Sequence, residues 1–123
     1  MTQAWNAFSA NCPTRRLLDR IANKWTALVI DLLAQGTQRF SALKRAIEGI
    51  SQKMLTQTLR ALEADGLVAR AVYATVPVTV EYSLTPLGHS LQAALSPLRR
   101  WAEANMKAVL QVRSESTASQ AQS

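Results

Sequence analysis

The sequence predicts a mostly α-helical domain that carries one small β-hairpin. Three observations predict it. Apolar residues recur at helical spacing through residues 13–34 and again from residue 52. After Gly66 the pattern changes to two short runs rich in Val and Tyr, as strands require. A long amphipathic segment then opens at Thr85-Pro86.

Taken in order, Pro13 suits the first turn of a helix, where its missing N–H is an orphan anyway. Leu17, Leu18, Ile21 and Ala22 follow at helical spacing, giving a helix over about 13–22 that Asn23 ends. Residues 24–36, KWTALVIDLLAQG, form a second helix with Trp25, Leu28, Val29, Leu32 and Leu33 on one side and Gly36 as its stop. Arg39-Phe40 is a very short strand, and Ser41 to Ile47 gives one or two helical turns. Gly49 lies in the turn before Ser51, whose hydroxyl is suited to accept from the orphan N–H groups of the next helix. That helix, QKMLTQTLRALEAD, ends at Gly66. Two helices joined by a Gly-containing turn make a helix-turn-helix. LVARAVYATV and VTVEYSL are strands joined near Thr75–Val78. The last segment runs from Thr85-Pro86 to about Val112, and Pro97 inside it is expected to kink or break the helix. A helix-turn-helix followed by a hairpin is a winged helix.

The ends read differently. Residues 1–11 are an N-terminal arm in which Trp5 and Phe8, three apart, suggest a short helical piece that docks. Residues 113–123 hold no large apolar side chain and read as a disordered tail. The winged helix-turn-helix core occupies 12–85, and the segment 86–112 follows it.

Composition sets the limits on function. The 123 residues, 48% of them apolar, make one domain able to bury roughly two-thirds of its unfolded surface. One Cys excludes a disulfide framework, and one His with one Cys leaves no metal cage, so neither a metal nor a cofactor is expected. His89, beside Gly88, reads as a surface residue. No nucleophile–base pair, carboxylate pair or phosphate-binding glycine loop is present, which argues against an enzyme. No secretory signal opens the chain, and its most apolar run, Trp25 to Ala34, is too short for a bilayer and carries Asp31. A cytoplasmic protein without a membrane partner is the expectation.

The net charge of +6 favours a polyanionic partner, but it does not locate the binding face. Residues 1–35, 36–85 and 86–123 hold four, six and four Lys/Arg against two, four and two acids. Each segment is equally basic, so placement on elements must decide. On the helix after Ser51, Leu55, Thr58, Leu59 and Leu62 share one side. Lys53, Thr56, Gln57 and Arg60 share the other, with Gln52 at its N-terminal end. No acid interrupts that face until Glu63. Lys and Arg suit guanine acceptors or phosphates, Gln suits adenine, and Thr suits a thymine methyl. The N–H groups near Ser51 suit a phosphate. Arg39, Lys44 and Arg45 are candidate phosphate contacts. Double-stranded DNA is therefore the expected partner.

The chain resembles the HxlR-type winged helix-turn-helix transcription regulators. The resemblance covers about residues 11–110. It is carried by Cys12-Pro13, Lys24-Trp25, Arg39-Phe40-Ser41, Gly49-Ile50-Ser51 with Leu55-Thr56, Leu59, Leu62-Glu63, Gly66-Leu67-Val68, Val76-Pro77, Val80 to Thr85 and Gly88. It implies a homodimer on a near-palindromic operator, with terminal helices as the dimer interface and the helix at 52–65 in the major groove. The residues agree. The stripe Leu91, Leu95, Leu98, Trp101 and Val109 is longer than the core at 12–85 can cover, and such a stripe finds a partner helix. Leu17 is a further interface candidate. One departure concerns the wing, where Val78-Thr79 stand in place of a basic residue after Val-Pro. An apolar or backbone contact to DNA suits this wing better than a charge-driven one.

Several members of that family resemble redox or electrophile sensors with a Cys at the position of Cys12. Here Cys12 precedes Pro13 at a helix N-terminus with Arg15 and Arg16 in the first turn, a setting that favours the thiolate. Sensing and simple packing are both open to it. As the lone Cys it excludes switching within one chain, leaving an intersubunit or mixed disulfide. Two other readings stay beside this one. One is a regulator that responds to a small-molecule effector bound at the dimer interface. The other is a winged helix that binds a protein.

Overall fold

The computed structural model describes residues 4–121. Among the described residues five helices and three strands follow in the order α1 (Pro13–Ile21), α2 (Lys24–Leu33), β1 (Gln38–Arg39), α3 (Phe40–Ala46), α4 (Gln52–Ala64), β2 (Val68–Tyr73), β3 (Thr79–Leu84) and α5 (Pro86–Ala121). This is the winged helix-turn-helix order, mostly helical with a small sheet.

Local chemistry sets the boundaries. Asn23 caps α2 by accepting from Trp25 N–H at 2.8 Å, and Ser51 caps α4 by accepting from Met54 N–H at 3.0 Å. At the other end of α4, Gly66 has φ +75°. Its N–H donates to Glu63 O, and Leu67 N–H donates to Leu62 O at 2.9 Å. This is a Schellman stop, closed by the buried pair Leu62 and Leu67. Thr85 Oγ1 accepts from Gly88 N–H and so opens α5 with Pro86 at its first position.

The sheet has three strands in the order β1-β3-β2, all antiparallel. Gln38 stands opposite Tyr82, and Arg39 opposite Glu81. The short strand expected at Arg39-Phe40 is thus Gln38–Arg39, and it extends the hairpin into a sheet. Phe40 begins α3 instead, because its ring packs against the core.

The core is a single cluster. Val29, Ile30 and Leu33 of α2 meet Leu43 of α3, Leu55, Leu59 and Leu62 of α4, Val68 and Leu84 of the hairpin, and Leu95 of α5. The α4 residues are those its apolar stripe names. Leu95 is only 8% exposed and Leu91 packs against the same cluster. Both were expected at a dimer interface. Within the single chain Leu95 is buried in the core and Leu91 half-buried against it, because α5 lies along α2.

Of the kink or break expected at Pro97, the break does not occur: α5 runs through it as one helix. A mid-helix proline costs about 3 kcal/mol through its lost hydrogen bond and its crowding. Asp31 of α2 holds the helix on both sides of it. Its carboxylate accepts from Gln92 Nε2 at 3.3 Å and from the Arg99 guanidinium, while Leu95 and Ser96 are buried between. The Asp31 hydrogen bond, and then its charge, raise the Arg99 pKa above the ordinary arginine value.

The ends also differ from expectation. Residues 4–12 form turns and no helix, and Trp5 and Phe8 are exposed. The arm is tied to α1 by Arg15, which donates to Ala7 O at 3.1 Å and to Phe8 O at 2.9 Å. The disordered tail expected from residue 113 is helical through Ala121. Its Ser, Glu, Gln and Ala residues include no Gly or Pro, so nothing stops a helix already nucleated upstream. The first three residues of the arm and the last two of the tail lie outside the described residues.

Candidate nucleic-acid interface

α4 divides cleanly into two faces. Leu55, Thr58, Leu59 and Leu62 are buried, and the Thr58 hydroxyl is satisfied by Met54 O at 2.8 Å. On the opposite face Gln52, Lys53, Gln57 and Arg60 are exposed and Thr56 is half-buried. These are the residues the sequence selects as base readers. The buried face fixes the helix to the core and leaves the other rigidly presented.

The approach to α4 is also cationic. Lys44 and Arg45 are exposed in the last turn of α3, where positive charge suits the helix dipole. Gly49, at φ +89°, turns the chain from α3 into the cap at Ser51. Ser51 Oγ takes one of the orphan donors of the first turn of α4. Arg39 is exposed at the α3 N-terminus.

Charge pairing leaves this face available. Among the described residues the ion pairs are Arg20–Asp65, Arg70–Glu63, Arg99–Asp31 and Arg99–Glu103. None of them engages Arg39, Lys44, Arg45, Lys53 or Arg60. Glu63, the acid that ends the cationic face, is paired with Arg70 of β2. A groove runs between α4 and the hairpin, floored in part by Phe40 and Tyr82. The sequence reading missed this groove. Its sequence signal is partial: Val68 and Arg70 alternate onto one strand face, and only packing brings that face to α4.

The wing tip is uncharged, as its sequence says. Val76 is fully exposed, and Val72, Tyr73 and Val78 are largely so. Thr75 Oγ1 donates to Pro77 O at 2.7 Å and lies 2.9 Å from Thr79 Oγ1, which ties the tip to itself.

Two further features lie away from α4. Cys12 is the residue before α1, and its Sγ accepts from Asn6 N–H at 3.2 Å and stands 3.3 Å from Thr14 Oγ1. The Thr14 hydroxyl, then the Asn6 N–H, lower the thiol pKa from its ordinary value. On α5, Leu98 and Trp101 are 63% and 60% exposed, and Val109, Leu110 and Val112 are also exposed. Trp101, Ala108, Val109 and Val112 line a shallow apolar groove along the helix. Leu17 is exposed on α1.

The family model described as HxlR-like helix-turn-helix matches residues 20–109. The chain belongs to the HxlR-like helix-turn-helix family. It is 46% identical over 113 residues to the HTH-type transcriptional regulator YtfH of Escherichia coli, covering 92% of this chain and 90% of that one. The solved structure of the regulator ytfH from Salmonella typhimurium superposes with a TM-score of 0.85 at 43% identity, covering 90% and 99% of the two chains. The redox regulator HypR in its reduced form gives 0.73 at 39% identity, covering 80% and 98%. Its oxidised form gives 0.70 at 42%, covering 76% and 97%. The resemblance read from the sequence is therefore correct. So is the expectation of a transcriptional regulator and not an enzyme, since the HxlR-like relatives are regulators. Among the described residues no helix is long and apolar enough to cross a membrane.

Proposed function

We propose that this protein is a homodimeric, sequence-specific DNA-binding transcription regulator that reads a near-palindromic operator with α4. The observation that carries the proposal is the exposed face of that helix. Gln52, Lys53, Thr56, Gln57 and Arg60 are presented by a helix whose other side is locked in the core. Arg60 and Lys53 take guanine acceptors or phosphates, and the two glutamines take adenine edges. Arg39, Lys44, Arg45 and the N-terminal turn of α4 at Ser51 fix the register on phosphates.

The homodimer is supported by the uncovered apolar stripe Leu98, Trp101, Val109 and Val112 on α5, with Leu17 on α1. A stripe of this length on one helix calls for a partner helix. Two α4 helices then meet successive major grooves about 10–10.5 bp apart, or a multiple of that.

Cys12 is the oxidant-responsive residue of this reading. Its thiolate is favoured by two neighbouring donors, and the chain is similar to a redox regulator solved in reduced and oxidised forms. Two Cys12 thiols of a dimer lose two protons and two electrons to an oxidant such as diamide and form one intersubunit disulfide. With a small disulfide instead, the Cys12 thiolate attacks one sulfur, forms a mixed disulfide and releases the other thiolate.

Selection of bound genomic fragments, followed by band-shift titration, tests the function. One enriched motif with two-fold symmetry is expected. Fragments with no shared motif would overturn it in favour of a protein-binding winged helix. Titration with diamide, wild type beside Cys12→Ser, tests the signal. Loss of DNA by the wild type alone supports it, and equal behaviour of the two excludes Cys12 as the switch.

A further inference from the structure

Among the described residues α1 is the one helix that buries no side chain. Ile21 packs partly against the core, and Leu17 and Leu18 are exposed. The hydrogen bonds that tie α1 to the other helices are made by one residue in its last turn. The Arg20 carbonyl accepts from the Thr26 hydroxyl of α2 at 3.2 Å. The Arg20 guanidinium donates to both carboxylate oxygens of Asp65, Nε to Oδ2 and Nη2 to Oδ1, each at 2.9 Å. Asp65 is the C-cap of α4, where its own N–H donates to Ala61 O.

We propose that the Arg20–Asp65 pair is a positioning strut between α1 and α4, and that it sets how far apart two half-sites must lie for a dimer to accept them. The proposal rests on α4 as the DNA-reading helix and on α1 as part of the dimer interface. Three observations support it. First, the contact is a fork. A bidentate pair fixes the plane and direction of both groups, where a single contact fixes only a distance. Second, Asp65 stands on a rigid mount. Gly66 N–H donates to Glu63 O, Leu67 N–H donates to Leu62 O, and Thr85 Oγ1 donates to Gly66 O. A displacement of Asp65 therefore carries the end of α4 with it. Third, Asp65 is placed where a carboxylate is unfavourable by itself. The C-terminal carbonyls of α4 form the negative end of its dipole, so the acid calls for a cation. Arg20 supplies it, and the Asp65 hydrogen bond, then the Asp65 charge, raise the arginine pKa above its ordinary value. Stability does not account for the pair. Arg20 and Asp65 are 47% and 19% exposed, and an ion pair this open to solvent adds little to folding. Orientation is what remains. Each base pair of spacing turns a half-site by about 35° and shifts it by about 3.4 Å, so rejecting a spacing one base pair off needs α4 held to a fraction of that turn.

The test is selection among duplexes in which two copies of the wild-type half-site are separated by spacers of every length over one helical turn. Wild type should enrich a single spacing. Arg20→Ala and Asp65→Ala should each raise the share of other spacings several-fold, keep the sequence of the half-site, and melt close to the wild-type temperature. The double variant should spread no further than either single one, because both remove the same contact. Long-range charge alone predicts otherwise. Losing an arginine weakens binding, losing an aspartate tightens it, and neither alters the spacing. The wild-type spacing retained in either variant would overturn the proposal, and so would wild-type protein with no preference among spacings. A double variant whose spread is the sum of the two, or a spread that appears only with a large fall in melting temperature, would overturn it as well. Wild-type protein that enriches no half-site sequence at all would remove the DNA-reading function itself, a failure distinct from these.

Discussion

Gly88 in the first turn of α5 presses on the backbone of Leu67, and a Cβ at residue 88 would stand 2.0 Å from the Leu67 carbonyl oxygen. That oxygen also accepts from Thr85 N–H at 3.1 Å, and Thr85 Oγ1 donates to Gly66 O at 2.6 Å. The end of α4 and the start of α5 are thereby locked through one short junction. Backbone cannot yield as a flexible side chain can. Gly88→Ala should therefore destabilise the protein by roughly 3 kcal/mol, at the severe end for one added methyl. Denaturant unfolding checks this, and a cost within the usual surface range would mean that the junction opens freely.

The surroundings of Cys12 predict its reactivity. The Thr14 hydroxyl and Asn6 N–H lower the thiol pKa. At a given pH below the ordinary value, more thiolate is present than for a free cysteine, and thiolate is the reacting form. The pH profile of alkylation by iodoacetamide should lie below that of a model thiol, and Thr14→Val should move it upward. The sign for stability follows. With the folded pKa below the unfolded one, the thiolate contributes stability above the unfolded value, and that contribution is lost as pH falls through the folded value. An identical alkylation profile for wild type and Thr14→Val would show that the hydroxyl does not act on the sulfur.

Most of the fold was legible because its signals are local. Ser51, Gly66 and Thr85-Pro86 are caps whose chemistry is written in one or two residues, and the structure uses each where the sequence puts it. The α4 faces were legible for the same reason, since one helix sorts its own residues. What escaped depends on distant partners. Pro97 reads as a breaker until Asp31, far back in the chain, is seen to hold Gln92 and Arg99 on either side of it. Leu91 and Leu95 read as part of one stripe with Leu98 and Trp101, and only the packing of α5 on α2 divides the stripe. The groove was hidden because Phe40, Arg70 and Tyr82 come from three elements.

Asp31 should therefore control the outer half of α5. Asp31→Ala removes the partner of Arg99 and Gln92 while Pro97 keeps its defect. Amide hydrogen exchange should accelerate from about residue 97 onward and stay slow in α4. Exchange that is unchanged in residues 97–113 would assign the continuity of α5 to helix propensity alone.

Arg60 is the sharpest test of base reading. It is exposed and engaged in none of the ion pairs among the described residues, on the acid-free face of α4. A bidentate contact to guanine is worth about 1–3 kcal/mol of discrimination. Arg60→Ala should relax the selected motif at one position per half-site and leave the others intact. A uniform loss across all sequences would instead make Arg60 a phosphate contact.

The exposed part of α5 makes a prediction that its buried part does not. Leu98 and Trp101 are 63% and 60% exposed, whereas Leu95 is 8% exposed. Leu98→Arg with Trp101→Arg places charge on the uncovered stripe and leaves the domain core untouched. If two copies join there, this variant should sediment at half the mass of the wild type, keep its helical content, and melt at a temperature independent of concentration, because mass action no longer links folding to assembly. Leu95→Arg should instead unfold the domain, since an unpaired charge would enter the core. A double variant that still sediments as a dimer would move the interface off this stripe, and Leu17 on α1 would be the next residue to change.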